Sequence, residues 1–362
     1  MQRLGIYIHW PYCKSKCPYC DFFSRVQKNV DQSAIIKSYL ADLEYYRSLN
    51  DDYRVESIFF GGGTPSLINP QHISEIIDKI TILWHCSDRL EISLEANPNT
   101  DDGRLFSELK SAGINRLSLG VQALNDVDLK FLGRTHSLND ALASIDSVLQ
   151  NFNNHSIDLI YARPDQDIKS WQKELKTACS FGLKHLSLYQ LTIEENTVFA
   201  KKNIKSADEE KARKLYAVSE ETLFHHGYNR YEVSNYAQKG HECHHNLGYW
   251  QGYDYVGIGN GAVGRFHING KLYNTFYPRQ QELITPQERA EELLIMGLRL
   301  PEGINKKRFF SQCGIDLNDV ISTTKLQQFC RENLLIDTPE TLQTTASGNL
   351  ILNYLIEQLI NL

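Results

Sequence analysis

The chain has 362 residues, 41% of them hydrophobic and 23% charged, which describes an ordinary globular protein with room for one large domain and a smaller one. Its formal net charge of −6 argues against a general affinity for nucleic acid, which needs a basic face to neutralise phosphates. No apolar run approaches the roughly 20 residues of a membrane span, and Met1-Gln2-Arg3-Leu4 has no signal-peptide core, so a cytosolic, reducing location is expected.

The first β-patterned run, Leu4–His9, leads into a loop carrying Cys13, Cys17 and Cys20 in a Cys-x3-Cys-x2-Cys spacing. Three thiolates so close in sequence can wrap one face of an iron–sulfur cluster, leaving one iron without a protein ligand and open to a substrate or cofactor. A Cys3His zinc site completed by His9 or a distant histidine also suits these residue types. Disulfides are not expected in a reducing compartment. The scattered Cys86, Cys179, Cys243, Cys313 and Cys330 are expected to be buried free thiols.

From residue 4 to about 191 one unit recurs: an apolar strand, a polar or glycine-bearing loop, an amphipathic helix. Strands are predicted at Leu4–His9, Val55–Phe60, Leu90–Ala96, Arg116–Gly120, Ser156–Tyr161 and His185–Leu191. Their Ile, Leu, Val and Phe content, mostly without clean alternation, suits parallel strands covered on both faces. Asp31 and the Asn69-Pro70 pair are placed to open helices, and Gly113 and Gly182 to close them. Six such units predict an α/β fold, a partial (β/α)6 TIM-like barrel, with a closed eight-strand barrel as the alternative. A helix is predicted over residues 206–226, ended by Gly227. A Tyr-, Gly- and His-rich stretch from 228 to 284 reads as short strands and loops. From Thr285-Pro286 onward a small, mostly helical, winged-helix-like domain is expected, with a strand signal at Leu334–Ile336. The expected divisions are therefore 1–227, 228–284 and 285–362.

Ligands of parallel β/α assemblies bind at the C-terminal ends of the strands. Order along the chain then brings the cysteine loop, Gly61-Gly62-Gly63-Thr64, Glu95, Gln122 and Asp158 to one mouth. The glycine run lets bare backbone approach a ligand, and Thr64 and nearby carbonyls can bond an amino group. It lacks the Gly-Lys-Ser/Thr ending of a phosphate-binding loop.

The cysteine spacing with Tyr19, together with Gly61-Gly62-Gly63-Thr64-Pro65, resembles the radical S-adenosylmethionine (SAM) enzymes. The similarity extends over nearly the whole chain to the branch containing oxygen-independent coproporphyrinogen III oxidases and HemW-type haem chaperones. It is carried further by Ser93-Leu94-Glu95-Ala96-Asn97-Pro98, Leu119-Gly120-Val121-Gln122, Leu132-Gly133-Arg134-Thr135-His136 and Ile157-Asp158-Leu159-Ile160-Tyr161. The resemblance implies a [4Fe-4S] cluster on Cys13, Cys17 and Cys20, with SAM chelating the fourth iron. It implies that Tyr7, Gly62, Gly63 and Thr64 line the methionine end, Tyr19 the adenine side, and Glu95, Gln122, Arg134 and Asp158 the rest of the cavity.

Two features favour the haem carrier over the oxidase. Phe22 stands where the oxidases have a further cysteine, and His245-Asn246-Leu247-Gly248-Tyr249-Trp250 matches the His-Asn-x-x-Tyr-Trp signature of the HemW-type group. The segment before the first strand is also shorter than in the oxidases. The resemblance thus implies haem binding at His245, as an imidazole can ligate iron axially; a packed histidine satisfied by its surroundings remains open. A zinc cluster of His241, Cys243 and His244 is a further alternative, as is a radical SAM enzyme acting on an unrelated substrate. Haem donor and acceptor proteins, the latter membrane-bound respiratory proteins, and a homodimer are implied partners. Lys14 and Lys16 could steer an acidic electron donor of the flavodoxin or ferredoxin type. One departure stands out: after Tyr161 the family continues Gly-Leu-Pro-Gly-Gln, whereas this chain has Ala162-Arg163-Pro164-Asp165-Gln166-Asp167, which adds charge near the expected mouth.

Overall fold

The computed structural model describes residues 1–50, 52–98 and 103–360. Its main sheet contains β1 (Gln2–Trp10), β2 (Tyr53–Gly62), β3 (His85–Ala96), β4 (Arg116–Gln122), β5 (Asn154–Tyr161), β6 (His185–Gln190), β7 (Asn229–Arg230), β8 (Asn235–Ala237), β9 (Asp254–Ile258), β10 (Val263–Ile268), β11 (Lys271–Phe276) and β12 (Gln280–Leu283). The order is β12-β11-β10-β9-β1-β2-β3-β4-β5-β6-β8-β7, open at both ends among the described residues. Strands β1 to β6 are parallel neighbours, as expected from the sequence.

The sequence reading stops one strand short. β9 pairs parallel with β1, Leu4 opposite Asp254 and Ile8 opposite Ile258, and adds a seventh strand to the parallel array. Its Asp-Tyr-Val-Gly-Ile composition disguises it, because Gly257 interrupts the apolar run. A Cβ at Gly257 would lie 2.5 Å from the Val263 carbonyl oxygen, so close hairpin packing requires glycine there.

Helix boundaries follow the local signals. The Asp31 side chain accepts from Ala34 N and Asn69 from Gln71 N, each opening its helix. Gly113 and Gly182 take φ of +108° and +76°. The helix expected over 206–226 spans Glu209–His225, capped by Asp208. Thr285 and Glu288 form a reciprocal capping box at the start of Pro286–Gly297. A separate apolar cluster, including Leu294, Phe309, Leu326, Phe329, Leu342 and Leu355, lies beneath the C-terminal helices. These accompany a three-stranded antiparallel sheet of Ile304–Asn305, Thr341–Thr344 and Leu335–Asp337.

In β1, Leu4, Ile6 and Ile8 join the large apolar layer with Ile36, Leu43 and Ile76 of the covering helices. Gly5, Tyr7 and His9 meet other residues of the strand interior instead. That period of two is the signature of a strand with two different buried faces. All eight cysteines are free thiols; Cys243 is buried, but Cys86, Cys179, Cys313 and Cys330 are half-buried rather than fully so. No helix among the described residues is long and apolar enough to cross a membrane.

Candidate functional site

A cavity of about 350 Å³ opens at the C-terminal ends of the strands and is lined by Cys13, Cys17, Cys20, Gly62, Gly63 and Thr64, with Tyr19, Glu95, Gln122, Arg134 and Asp158 around them. The cysteine loop is closed by a parallel clasp, Tyr12–Cys13 against Arg25–Val26. Phe199 N also donates to the Pro18 carbonyl at 2.9 Å. Gly63 N donates to Trp10 O at 2.7 Å and Thr64 N to Tyr12 O at 2.9 Å, fastening the glycine run to the chain that carries Cys13. A Cβ at Gly63 would meet Tyr12 O at 2.7 Å and the Cys13 sulfur at 3.0 Å. The close approach of run and thiol therefore depends on the missing side chain.

Beside the thiols, Arg134 forms part of the cavity wall. Its Nη1 donates to Cys17 Sγ at 3.3 Å and to the Tyr19 hydroxyl at 3.5 Å, and its Nη2 to Gly120 O at 3.0 Å and to Asn97. Gly62 N donates to Glu95 Oε2 at 3.2 Å. Burial, and then the charge of Asp158, push the Glu95 carboxyl up to about 8. Burial also raises Asp158, although Ser118 Oγ donates to it at 3.1 Å. Gln122 holds a φ of +72°, and its buried Oε1 meets no hydrogen-bond partner among the described residues; the same is true of Arg134 Nε. A buried cavity wall with an unmet acceptor and an unmet donor fits a polar ligand such as SAM. Three unpaired thiols on one wall fit a cluster with one open iron.

Tyr7 is the expected site residue that does not line this cavity. It lies one layer deeper, its hydroxyl 3.0 Å from His9 Nδ1. His9 Nε2 bonds the Phe23 carbonyl at 2.9 Å and must donate there, so Nδ1 accepts from Tyr7. With both nitrogens engaged, His9 is not a zinc ligand. The His241, Cys243 and His244 alternative fails similarly: His241 bonds Asn154, and the Cys243 thiol is buried against Glu91. Among the described residues no three His, Cys, Asp or Glu side chains are grouped to hold a single metal ion.

His245 lies at the other end of the strands. The segment His244–Trp250, expected as loop, is a short helix. Its His, Gly and aromatic residues have little helix propensity, and tertiary contacts hold it. Glu91 of β3 accepts His244 N at 2.9 Å and His245 N at 3.1 Å, capping the helix from across the barrel. Burial would raise the Glu91 carboxyl, but the Arg116 guanidinium and these two amides outweigh it and hold it low. His245 is 3% exposed, and both its ring nitrogens are taken: Nδ1 by Ser57 Oγ at 2.8 Å and Nε2 by the Tyr249 hydroxyl at 2.8 Å. Its ring stacks on Phe59, and burial lowers its pKa to about 4. His245 is thus a neutral plug in the base of the barrel. In this conformation it offers iron no free nitrogen.

The Ala162–Asp167 departure also reads differently in three dimensions. Ala162 keeps a φ of +61°, in the left-handed region that glycine favours. Arg163 is 3% exposed and paired with Glu174 at 2.5 Å and Asp128 at 3.2 Å. None of the six residues lines the mouth, so the added charge is spent elsewhere. Lys16 Nζ donates to Phe22 O and Ser24 O at 3.0 and 3.2 Å, which makes it a tie within the cysteine loop. Sequence reasoning passed over Asn97, Ser118, Glu91 and Arg116. Asn97 stood within a family-like run but was given no role, Ser118 lies inside its strand, and the latter two sit in strands that read as apolar.

Residues 7–178 match the radical SAM superfamily and residues 284–351 the HemN C-terminal domain. The haem chaperone HemW of Escherichia coli is 33% identical over 98% of this chain and 97% of its own length. HemW of Haemophilus influenzae is 34% identical with the same coverage. Radical S-adenosyl methionine domain-containing protein 1 from Bos taurus mitochondria is 32% identical, covering 99% of this chain and 88% of that protein. In structure, the E. coli radical SAM enzyme coproporphyrinogen III oxidase HemN superposes with a TM-score of 0.82 at 19% identity, over 98% of this chain and 89% of that one, which fixes the fold. By descent as well as by architecture, this chain belongs to the radical SAM superfamily, within the family of the HemW haem chaperones.

Proposed function

We propose that this protein is a haem chaperone, carrying haem on a radical SAM scaffold and passing it to acceptor proteins. The observation that carries the reading is full-length similarity to proteins named haem chaperone HemW, joined to a C-terminal mouth whose thiols, glycine run and unmet polar atoms suit the superfamily's cofactors. Phe22, on the cavity rim, supports the carrier over coproporphyrinogen III oxidase, where a further cysteine is expected.

Cys13, Cys17 and Cys20 would hold the [4Fe-4S] cluster. Gly62, Gly63 and Thr64 would face the methionine end of SAM, Tyr19 the adenine side, and Glu95, Gln122, Arg134 and Asp158 its polar groups. Tyr7 would act from behind, by supporting His9 and the glycine run. When bound and reduced, such a cluster supplies the electron that cleaves the SAM sulfonium. The protein's own part is positional: Arg134 holds Cys17 and Tyr19 in place, and Glu95 fixes the Gly62 amide. Residues 1–227, 228–284 and 285–362 would be the functional divisions. Ligation of iron by His245 would require its ring to leave Ser57 and Tyr249. The cytoplasm, a homodimer, membrane-bound respiratory acceptors and a flavodoxin- or ferredoxin-type electron donor complete the proposal. Lys14 is the better candidate for meeting that donor, because Lys16 is tied to the loop.

The test is anaerobic. Haemin titration should reach one haem per chain, and electron paramagnetic resonance of the reduced protein should change when SAM is added. Conversion of coproporphyrinogen III by the reduced protein would replace the carrier with the oxidase. Reconstituted protein containing zinc and no sulfide would remove the cofactor assignment.

A further inference from the structure

The N-terminal ends of the strands carry a second cavity, of about 420 Å³, remote from the SAM mouth and bordered by the helix His244–Trp250. Its size falls within the range of about 300–1,000 Å³ common to small-molecule sites. Three arginines from the starts of three neighbouring strands reach it: Arg3 of β1, Arg54 of β2 and Arg89 of β3. Arg54 is neutralised by Glu56, at 2.7 Å. Arg3 lies over the Tyr253 ring at 5.1 Å and bonds its hydroxyl, with no carboxylate partner among the described residues. Arg89 is exposed, and its guanidinium has no partner there either. Glu56 and Asp254 also line the cavity but are engaged by Arg54 and His267, so on a chain with a net charge of −6 the two guanidinium groups without an ion-pair partner among the described residues suit an anionic ligand.

One part of the wall is aromatic. Tyr249 meets Tyr255 edge-on, centroids 4.4 Å apart at 70°, and Tyr253 stands beside them. The imidazole of His244 is exposed at the same cavity and engages no hydrogen-bond partner among the described residues, whereas that of its neighbour His245 is buried and saturated. A flat apolar body with two carboxylates and a metal that accepts a neutral imidazole would satisfy all three features together. Haem has this combination.

We propose that haem docks in this basal cavity, its propionates on Arg3 and Arg89, its ring against the tyrosines, and its iron on His244 while His245 stays in the plug. The proposal rests on the carrier reading and gives it a location, on the opposite end of the barrel from the SAM mouth. Haem could then be loaded and released with the SAM cavity undisturbed.

The full-length, cluster-reconstituted protein is titrated anaerobically with haemin and, in parallel, with haemin dimethyl ester, in which both carboxylates are masked. Expected are binding of the ester weakened about tenfold or more, a similar loss in the Arg3→Ala plus Arg89→Ala variant, and loss of the imidazole-ligated spectrum in His244→Ala. These three residues are exposed, and Arg89→Ala alone breaks no contact seen here, so it provides a reading free of folding effects. Wild-type protein that takes up no haemin overturns the carrier reading together with this one. Wild-type uptake that is indifferent to the ester, to both arginines and to His244 overturns this site alone. So does loss of iron ligation in His245→Ala with His244→Ala unaffected.

Discussion

Glu91, in the third strand, accepts the main-chain amide of His245 at 3.1 Å, although the two residues are 154 positions apart. One carboxylate thereby supplies the N-terminal cap of a helix whose sequence has little intrinsic reason to form. Replacing it with glutamine keeps the shape and removes the charge that compensates buried Arg116. Glu91→Gln is expected to cost about 2 kcal/mol in urea unfolding. Hydrogen exchange at the His244 and His245 amides should quicken more than at the core strands. Unchanged protection there would mean that the cap does not hold the helix.

The plug also sets a pH dependence. His245 titrates near pH 4 in the folded protein, because burial penalises the imidazolium. In the unfolded chain it would titrate near 6.5. The unfolded state therefore binds the extra proton first, and the stability contributed by neutral His245 is complete above pH 6.5 and declines as pH falls towards 4. Glu91 acts in the same direction at lower pH, since its folded carboxyl is held down and must be protonated on unfolding. A His245→Gln variant should show a flatter stability profile between pH 6.5 and 4 than the wild type, whatever its absolute stability.

Glu95 has the opposite sign. Its folded pKa, raised to about 8 by burial and by Asp158, exceeds the unfolded value near 4.5. The folded state holds the proton longer, so stability is greatest below pH 4.5 and falls as pH rises to 8. Compared with the wild type, Glu95→Gln should therefore gain relative stability across that window. Parallel profiles for the two proteins would show that Glu95 is ionised in the unliganded cavity.

Gly63→Ala tests the link between the glycine run and the cysteine loop. The new Cβ would press on the carbonyls of Tyr12 and Trp10 and on the Cys13 sulfur, at 2.7, 2.9 and 3.0 Å. The strain is expected to cost about 1–3 kcal/mol. Iron and sulfide retained after anaerobic reconstitution should fall with it, because the displaced group is the thiol itself. Full cluster content in this variant would show that the loop yields without harm to the thiols.

Sequence alone determined the radical SAM identity, the six strands from Leu4 to Leu191, and the residues gathered at the C-terminal mouth. Cysteine spacing, glycine runs and helix caps are local signals, and parallel topology turns their order into position. Tertiary structure decided the rest. Gly257 hides a strand because the missing side chain that breaks the apolar run is what the close hairpin with Val263 requires. Tyr7 was expected at the mouth and stands one layer below it, since strand alternation fixes the face but not the depth. Arg163 reads as charge at the mouth, until Glu174 and Asp128 are seen to absorb it. The two neighbouring histidines differ most of all. Nothing in the order His244-His245 tells which imidazole is buried and which is free; the hydroxyls of Ser57 and Tyr249 settle it, because a buried ring must find partners that only the folded chain brings within reach.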